Sequence, residues 1–304
     1  MNKLVSIGTR GSALALWQAR QVQNMLGTVG LKSELMPISS SGDKDLHKPL
    51  YEMGVQGIFT KELDVALLEG LVDLAVHGMK DVPITLPKDI ATAFIPKRGP
   101  VADVFISKND SWENDKSVVA TSSLRRSAQW MHRYPHHSII DIRGNVPTRL
   151  KKFETLDCQG TIMAIAGLKR LEILPKQHTV LEWMVPAPAQ GALLITALES
   201  NKSLIAKLST LNNDETALCV AQERIFLREL EGGCTAPIGA LAKMEGDQIH
   251  FVGNITQKGG KKHKRGKKGY DETRVLRLKE EGQEYAQITA CKGNCRFDVK
   301  SLSS

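Results

Sequence analysis

The sequence predicts an α/β protein of three domains: two α/β domains joined by a two-strand hinge, and a small α+β domain at the C-terminal end. Length is the first reason, since 304 residues exceed what one hydrophobic core usually serves. The second is a recurring unit in which an apolar strand ends in a polar turn that opens a helix. It begins at Leu4, lapses, and restarts beyond Gly99. The third is a pair of Pro-rich stretches, Pro96-Lys97-Arg98-Gly99-Pro100 and Val185-Pro186-Ala187-Pro188-Ala189-Gln190-Gly191. Two crossings imply that one domain is inserted into the other. The expected division is 1–97 with 191–211 for the first domain, 98–190 for the second, and 212–304 for the third.

Leu4 to Ile7 reads as a buried strand, followed by the turn Gly8-Thr9-Arg10-Gly11-Ser12. Ser12 is the expected N-cap of a helix from Ala13 to Leu26. Such a turn aims free amide N–H groups and a helix dipole at one spot, which suits an anion, and Arg10 adds a fork for a carboxylate. Leu31 to Ile38 alternates like a strand, a polar segment runs to about Gly57, and Phe59 to Leu68 is helical. Val72 to His77 is a buried strand with Lys80 and Asp81 just past its end, where open α/β sheets place ligand chemistry. Taken alone, that pair reads more readily as a surface ion pair.

Beyond the first crossing, Val104 to Ser107 and Ser117 to Ala120 are strands, and Thr121-Ser122-Ser123-Leu124-Arg125-Arg126 opens a helix reaching His132. Ser138 to Ile142 is a strand ending in Arg143-Gly144-Asn145-Val146-Pro147-Thr148-Arg149, with Pro147 at a first helical position. Thr161 to Ala166 is a further strand, followed by Gly167-Leu168-Lys169-Arg170. The third domain opens with a helix from Glu215 to Leu230 and continues in strands at Leu241–Lys243, His250–Ile255 and Thr273–Leu278.

Arg10, Arg125, Arg126, Arg143, Arg149 and Arg170 all fall at or just after the C-terminal ends of predicted strands. Six guanidinium forks so placed argue for a cleft that binds several carboxylates or phosphates. Neither a Gly-Lys-Ser/Thr loop nor Gly-x-Gly-x-x-Gly follows a strand, so nucleotide chemistry lacks its signature. Between the last two regions, Leu230-Glu231-Gly232-Gly233-Cys234-Thr235-Ala236-Pro237-Ile238-Gly239 presents one cysteine in a glycine-flanked loop. An attachment point, a nucleophile and a small buried thiol all fit that context.

The net charge of +8 comes mostly from Lys258 to Gly269, which carries seven Lys and Arg without an acid and reads as a solvated loop. No nucleic-acid partner is expected. Five cysteines show no framework spacing, and Cys291-Lys292-Gly293-Asn294-Cys295 offers two of the four ligands a structural zinc needs, so no metal is expected. No stretch reaches the ~18 apolar residues of a membrane span, and no apolar signal region follows Met1. A reducing cytosol is the expected address.

Several stretches together resemble the hydroxymethylbilane synthase (porphobilinogen deaminase) family over essentially the whole chain. They are Gly8-Thr9-Arg10 with Ala15-Leu16-Trp17-Gln18-Ala19, Phe59-Thr60-Lys61-Glu62-Leu63, Ala75-Val76-His77 through Lys80-Asp81-Val82-Pro83, Thr121 to Arg126, Arg143-Gly144-Asn145-Val146, Ala166 to Arg170, and Leu230 to Gly239. The resemblance implies two domains like those of periplasmic binding proteins and a monomer that takes porphobilinogen and a growing polypyrrole chain. It also implies a dipyrromethane cofactor held by a thioether to Cys234. By the same resemblance Asp81 is the catalytic carboxylate, and Lys80, Ser123, Arg125, Arg126 and Arg149 hold the cofactor. Arg10, Ser12, Gln18, Arg143 and Arg170 surround the incoming substrate.

The sequence departs from that family's pattern at Glu52 and Gln56, where a lid often carries lysines, and at Gly78, where serine is common. Pro147 replaces a glycine, and Pro188-Ala189 replaces a Val-Gly pair before Gln190. A non-catalytic binding module would share the two α/β domains but not need the Cys234 loop. A cysteine hydrolase would need a base, and no histidine stands in a motif that pairs with Cys234.

Overall fold

A computed structural model describes residues 4–39, 60–109, 112–113, 116–230, 237–246 and 248–255, with the backbone of 285–291 and 296–302. Three sheets result. The first has the order β2 (Ser33–Ile38), β1 (Val5–Arg10), β3 (Leu74–Gly78), β10 (Leu193–Leu198), β4 (Ile90–Phe94). β1 runs parallel to β2 and β3, whereas β10 is antiparallel to β3 and β4. Helix α1 (Ala13–Thr28) buries Ala15, Ala19, Val22 and Leu26, a helical stripe that meets Ile7, Leu74, Phe94 and Ile195 on one face. Helix α2 (Lys61–Leu68) covers the other face through Leu63, Ala66 and Leu67 against Val72, Ala75 and Ile90. Each large side chain so buried stabilises the fold by ~1.5–3 kcal/mol.

The second sheet, β7 (Ser138–Ile140), β6 (Val118–Ala120), β8 (Gly160–Ala164), β5 (Asp103–Ser107), β9 (Thr179–Val180), repeats the first in order and direction. β6 is parallel to β7 and β8, and β5 is antiparallel to β8 and β9. Its faces are covered by α3 (Leu124–Arg133), α4 (Val146–Thr155) and α5 (Ile165–Arg170). One layer is aliphatic (Val104, Ile106, Met163, Leu168), and the other is built on Phe105, Trp112 and Trp130, whose indole donates to His137 Nδ1 at 3.2 Å.

The antiparallel member of each sheet is the strand that arrives from the other sheet: β4 leads into β5, and β9 leads back into β10. The two connecting segments are bonded to each other. Gly99 N donates to Gly191 O at 3.2 Å, Arg98 Nε to Gln190 O at 2.8 Å, and Gln190 Nε2 to Val101 O at 2.7 Å. Gly191 has φ +86, and a Cβ there would lie 2.6 Å from Pro100 O, so only glycine fits the close approach. Ala189 adopts φ 59, a left-handed conformation that a Cβ disfavours.

The third sheet is antiparallel, in the order β11 (Ile238–Glu245), β12 (Gln248–Ile255), β14 (Arg296–Leu302), β13 (Tyr285–Cys291). Helix α6 (Lys202–Leu208) adds Leu208 to the first core, and helix α7 (Asp214–Glu229) packs on β11, with Phe226 edge-on to Phe251 at 5.2 Å. Cys291 closes β13. Glu223, fully buried on α7, fastens this unit to both connecting segments: it accepts from Arg98 Nη1 and Nη2 at 2.7 and 2.9 Å, from Ala189 N at 2.6 Å and from Ala242 N at 2.8 Å.

Some elements differ from their sequence-based bounds. Pairing between β5 and β8 ends at Asp103–Ala164, so Ile165 and Ala166, expected in a strand, begin α5 instead. Pairing between β6 and β7 ends at Ile140, and Ile142 N turns to Ser122 Oγ at 3.0 Å. Asn145 caps α4, which makes Pro147 its second residue. Residues 273–278, the third expected strand of that domain, lie outside the described residues, as do 39–57 beyond Ser39.

Candidate functional site

The parallel strands of each sheet end at one edge, and the two edges meet. A cavity of about 410 Å³ is lined by Gly11, Ser12, Pro37, Ile38 and Ser39 from the first unit and by Asn145 and Thr148 from the second. Leu14 of α1 reaches across to pack on the second core. Ser12 caps α1 by accepting from Ala15 N at 3.3 Å, Asn145 caps α4 through Thr148 N at 3.0 Å, and Ser123 caps α3 through Arg126 N at 3.5 Å. A capping hydroxyl uses its lone pairs and keeps its proton to donate.

Lys80 and Asp81 occupy a single 3₁₀ turn, Met79–Asp81, directly after β3. Met79 and Val82 anchor that turn in a core shared with Ile95, Ala189, Leu194 and Val220. Arg224 of α7 fixes its exit by donating to the carbonyls of Val82, Pro83 and Ile84. Asp81 Oδ2 folds back over Gly78, where a Cβ would stand only 3.3 Å away.

Around this turn the two units bring charge together. Burial pushes the Lys80 ammonium down to about 8, opposed by Asp81 and Asp103 and reinforced by Arg126 and Arg149. Arg149 is pushed down to about 10 by burial and by Arg126, with Asp81 opposing. Burial would raise Asp103, but the Arg125 and Arg126 guanidiniums hold it well below the usual carboxylate range. Asp103 Oδ2 lies 2.7 Å from Arg125 Nη2, and Oδ1 lies 2.8 Å from Arg126 Nη2. The cluster thus sets Lys80, Arg125, Arg126 and Arg149 against Asp81 and Asp103, an excess of positive charge. Arg125 Nε and Arg149 Nε are buried without a hydrogen-bond partner. A buried donor of this kind calls for an acceptor that these side chains do not supply, and a ligand carboxylate or an ordered water would each complete it.

The remaining candidates stand on other elements. Arg10 ends β1 and, with burial the larger cause, helps push His77 down to about 4, leaving that imidazole neutral beside Thr196 Oγ1 at 3.2 Å. Gln18 is buried on α1, and Arg143 is half-buried three residues beyond β7. Arg170 sits at the end of α5, donates to Gly191 O at 2.7 Å and lies over the Trp17 ring at 5.6 Å, so it bridges the two units at the hinge. Cys234, Glu52, Gln56, Cys295 and the basic run 258–269 lie outside the described residues. Among the described residues no group of His, Cys, Asp and Glu is arranged to hold a metal ion.

Sequence reasoning missed Asp103 and Glu223. Each left a trace: Asp103 directly precedes the apolar run Val104–Ile106 of its strand, and Glu223 falls on the buried stripe Thr216, Cys219, Val220, Leu227 of α7.

Comparison with known proteins adds three findings. Residues 5–206 match the family model described as "Porphobilinogen deaminase, dipyromethane cofactor binding domain", and residues 217–285 match "Porphobilinogen deaminase, C-terminal domain". The porphobilinogen deaminase of Syntrophotalea carbinolica is 41% identical over 261 residues, covering 84% of this chain and 83% of that protein. That of Syntrophomonas wolfei is 40% identical over 262 residues, covering 84% and 86%. Among solved structures, a substrate-binding domain of a putative amino acid ABC transporter from Streptococcus pneumoniae aligns with TM-score 0.43 at 11% identity, covering 75% of this chain and 95% of that one.

Proposed function

We infer that Asp81 is the reacting carboxylate of this chain, which belongs to the porphobilinogen deaminase family. The chain is a transferase of tetrapyrrole synthesis, a hydroxymethylbilane synthase. It deaminates four porphobilinogen units, joins them head to tail on a dipyrromethane primer, and releases the linear tetrapyrrole by hydrolysis. When bound, the dipyrromethane supplies the nucleophilic pyrrole carbon from which the chain grows.

The residues of the cleft fit a ligand rich in acetate and propionate groups. We assign the primer's carboxylates to Lys80, Arg125, Arg126 and Arg149, with the Ser123 hydroxyl, and its thioether to Cys234. Arg10, Ser12, Gln18, Arg143 and Arg170 are assigned to the incoming porphobilinogen. Loss of ammonia from its protonated aminomethyl group moves that positive charge onto the substrate's pyrrole ring and its N–H. A carboxylate fixed on a short turn would face the ring-borne charge without reorganising, so it favours the transition state in which that charge develops. Arg224 and the Met79–Val82 anchor keep Asp81 in that position.

The observation that carries this assignment is the excess of buried cations around Asp81, with two guanidinium Nε donors left without partners. We further propose the domain division 1–97 with 191–211, 98–190 and 212–304, and a monomer acting in the cytosol. Intact-mass spectrometry of the denatured protein, with a Cys234→Ser control, tests the whole reading. A two-ring increment absent from the control is expected. A chain that gains no increment even after incubation with porphobilinogen would overturn it.

A further inference from the structure

We propose that Asp103 is a positioning residue: it orients the Arg125–Arg126 pair toward the primer's carboxylates and ties that orientation to the hinge. The proposal rests on the functional reading above. Asp103 is the first residue of β5, immediately after the chain crosses between units, and is completely buried. Its Oδ1 accepts from Arg126 Nε at 3.2 Å and Nη2 at 2.8 Å, and its Oδ2 meets Arg125 Nη2. The same Oδ1 accepts at 3.0 Å from Gln190 Nε2, which belongs to the returning connection. Arg125 Nη1 donates to Val185 O of that connection at 2.8 Å, and Arg126 Nη1 donates to Ile162 O of β8 at 3.0 Å.

Arg125 is therefore fixed at its two far nitrogens by protein acceptors, and Arg126 at all three of its nitrogens. Asp103 also offsets one of the two positive charges, so that neighbouring guanidiniums can be buried together. What remains of Arg125 is its Nε, buried without a partner. Asp103 does not touch the reacting atoms; it acts through the arginines. Since Gln190 and Val185 lie on the returning connection, a shift of that segment would be felt by both arginines through Asp103.

The test uses the holoenzyme and divides the rate by the fraction of molecules bearing the primer, read by intact mass. A purely structural role lowers that fraction and leaves the turnover of loaded molecules unchanged. Asp103→Asn keeps the side chain's size and removes the charge. For this variant, turnover per loaded molecule is expected to fall roughly tenfold or more, with KM for porphobilinogen within about twofold. Gln190→Met keeps the buried ion triad and removes only the hinge tether; a smaller fall in the same quantity, roughly two- to fivefold, is expected. Unchanged turnover per loaded molecule in Asp103→Asn would overturn the proposal. If that variant does not fold, unchanged turnover in Gln190→Met overturns it instead. An unaltered chain that never acquires the increment overturns the functional reading, and with it this one, before any variant is made.

Discussion

Replacing Glu223 tests whether one carboxylate holds the three sheets in register. Its side chain is 0% exposed and that of Arg98 is 11% exposed. Glu223→Ala removes both oxygens from the bidentate pair and from the Ala189 and Ala242 amides. Leaving a buried charge without its partner costs about 3–5 kcal/mol, and each orphaned buried N–H adds about 1–3 kcal/mol. Water entering the vacated volume satisfies part of this, because Arg98 is not wholly sealed. The expected loss is therefore at least ~3 kcal/mol. At ~2–4 °C per kcal/mol for a chain of this size, that is a fall in Tm of about 6–12 °C. Glu223→Gln retains one acceptor and should lose about half as much. A double-mutant cycle with Arg98→Met should give a coupling of ~2 kcal/mol or more. The assay is thermal unfolding, and a Tm for Glu223→Ala within ~2 °C of the unaltered chain refutes the pinning argument. Because α7 and β11 flank residues 231–236, the same variant should acquire the primer more slowly.

Asp81→Asn should keep the unaltered Tm and the covalent primer while losing ~10²-fold or more in turnover, and near-normal turnover removes Asp81 from the chemistry. Arg143→Leu should stall elongation, so that intact-mass spectra accumulate one intermediate chain length; an even distribution of lengths argues against a substrate contact. His77 is held at about 4, below its ordinary 6.5, by burial and Arg10. The folded state thus binds fewer protons than the unfolded chain, so stability is full above pH 6.5 and falls as pH drops toward 4, by up to ~3 kcal/mol. His77→Gln should flatten the Tm profile across that window. Ala189→Gly should relieve the left-handed strain by ~1 kcal/mol and raise Tm by about 2–4 °C, a shift that scanning calorimetry resolves.

Local signals carried much of the fold. Ser12 caps the helix assigned to it, and Asp81 stands three residues beyond the end of a buried strand, because caps and strand ends are written in a few adjacent residues. The two Pro-rich stretches proved to be the segments bonded at Gly99 and Gly191. What escaped was long-range. Asp103 finds Arg125 and Arg126 more than twenty residues away, and Glu223 finds Arg98 at a separation of 125. No local pattern distinguishes such carboxylates from solvated ones until the tertiary fold encloses them. Arg170 shows the converse: its placement after a strand was read correctly, but the helix beginning at Ile165 carries its guanidinium to Gly191 O.

The exchange of β5 and β10 between the first two sheets also orders the birth of the molecule on the ribosome. The second sheet uses only residues from Asp103 to Val180, so it can close as soon as that stretch is free. The first cannot: β10 lies between β3 and β4, and Leu198 is made roughly a hundred residues after Phe94. At ~5–20 residues per second, β3 waits on the order of 5–20 s with an unpaired edge, and β4 waits as long with no partner strand. During that interval the nascent chain offers strand edges to its neighbours on the same message. The inserted unit, although second in sequence, is therefore the first that can fold, and crowded translation is where this topology is most vulnerable.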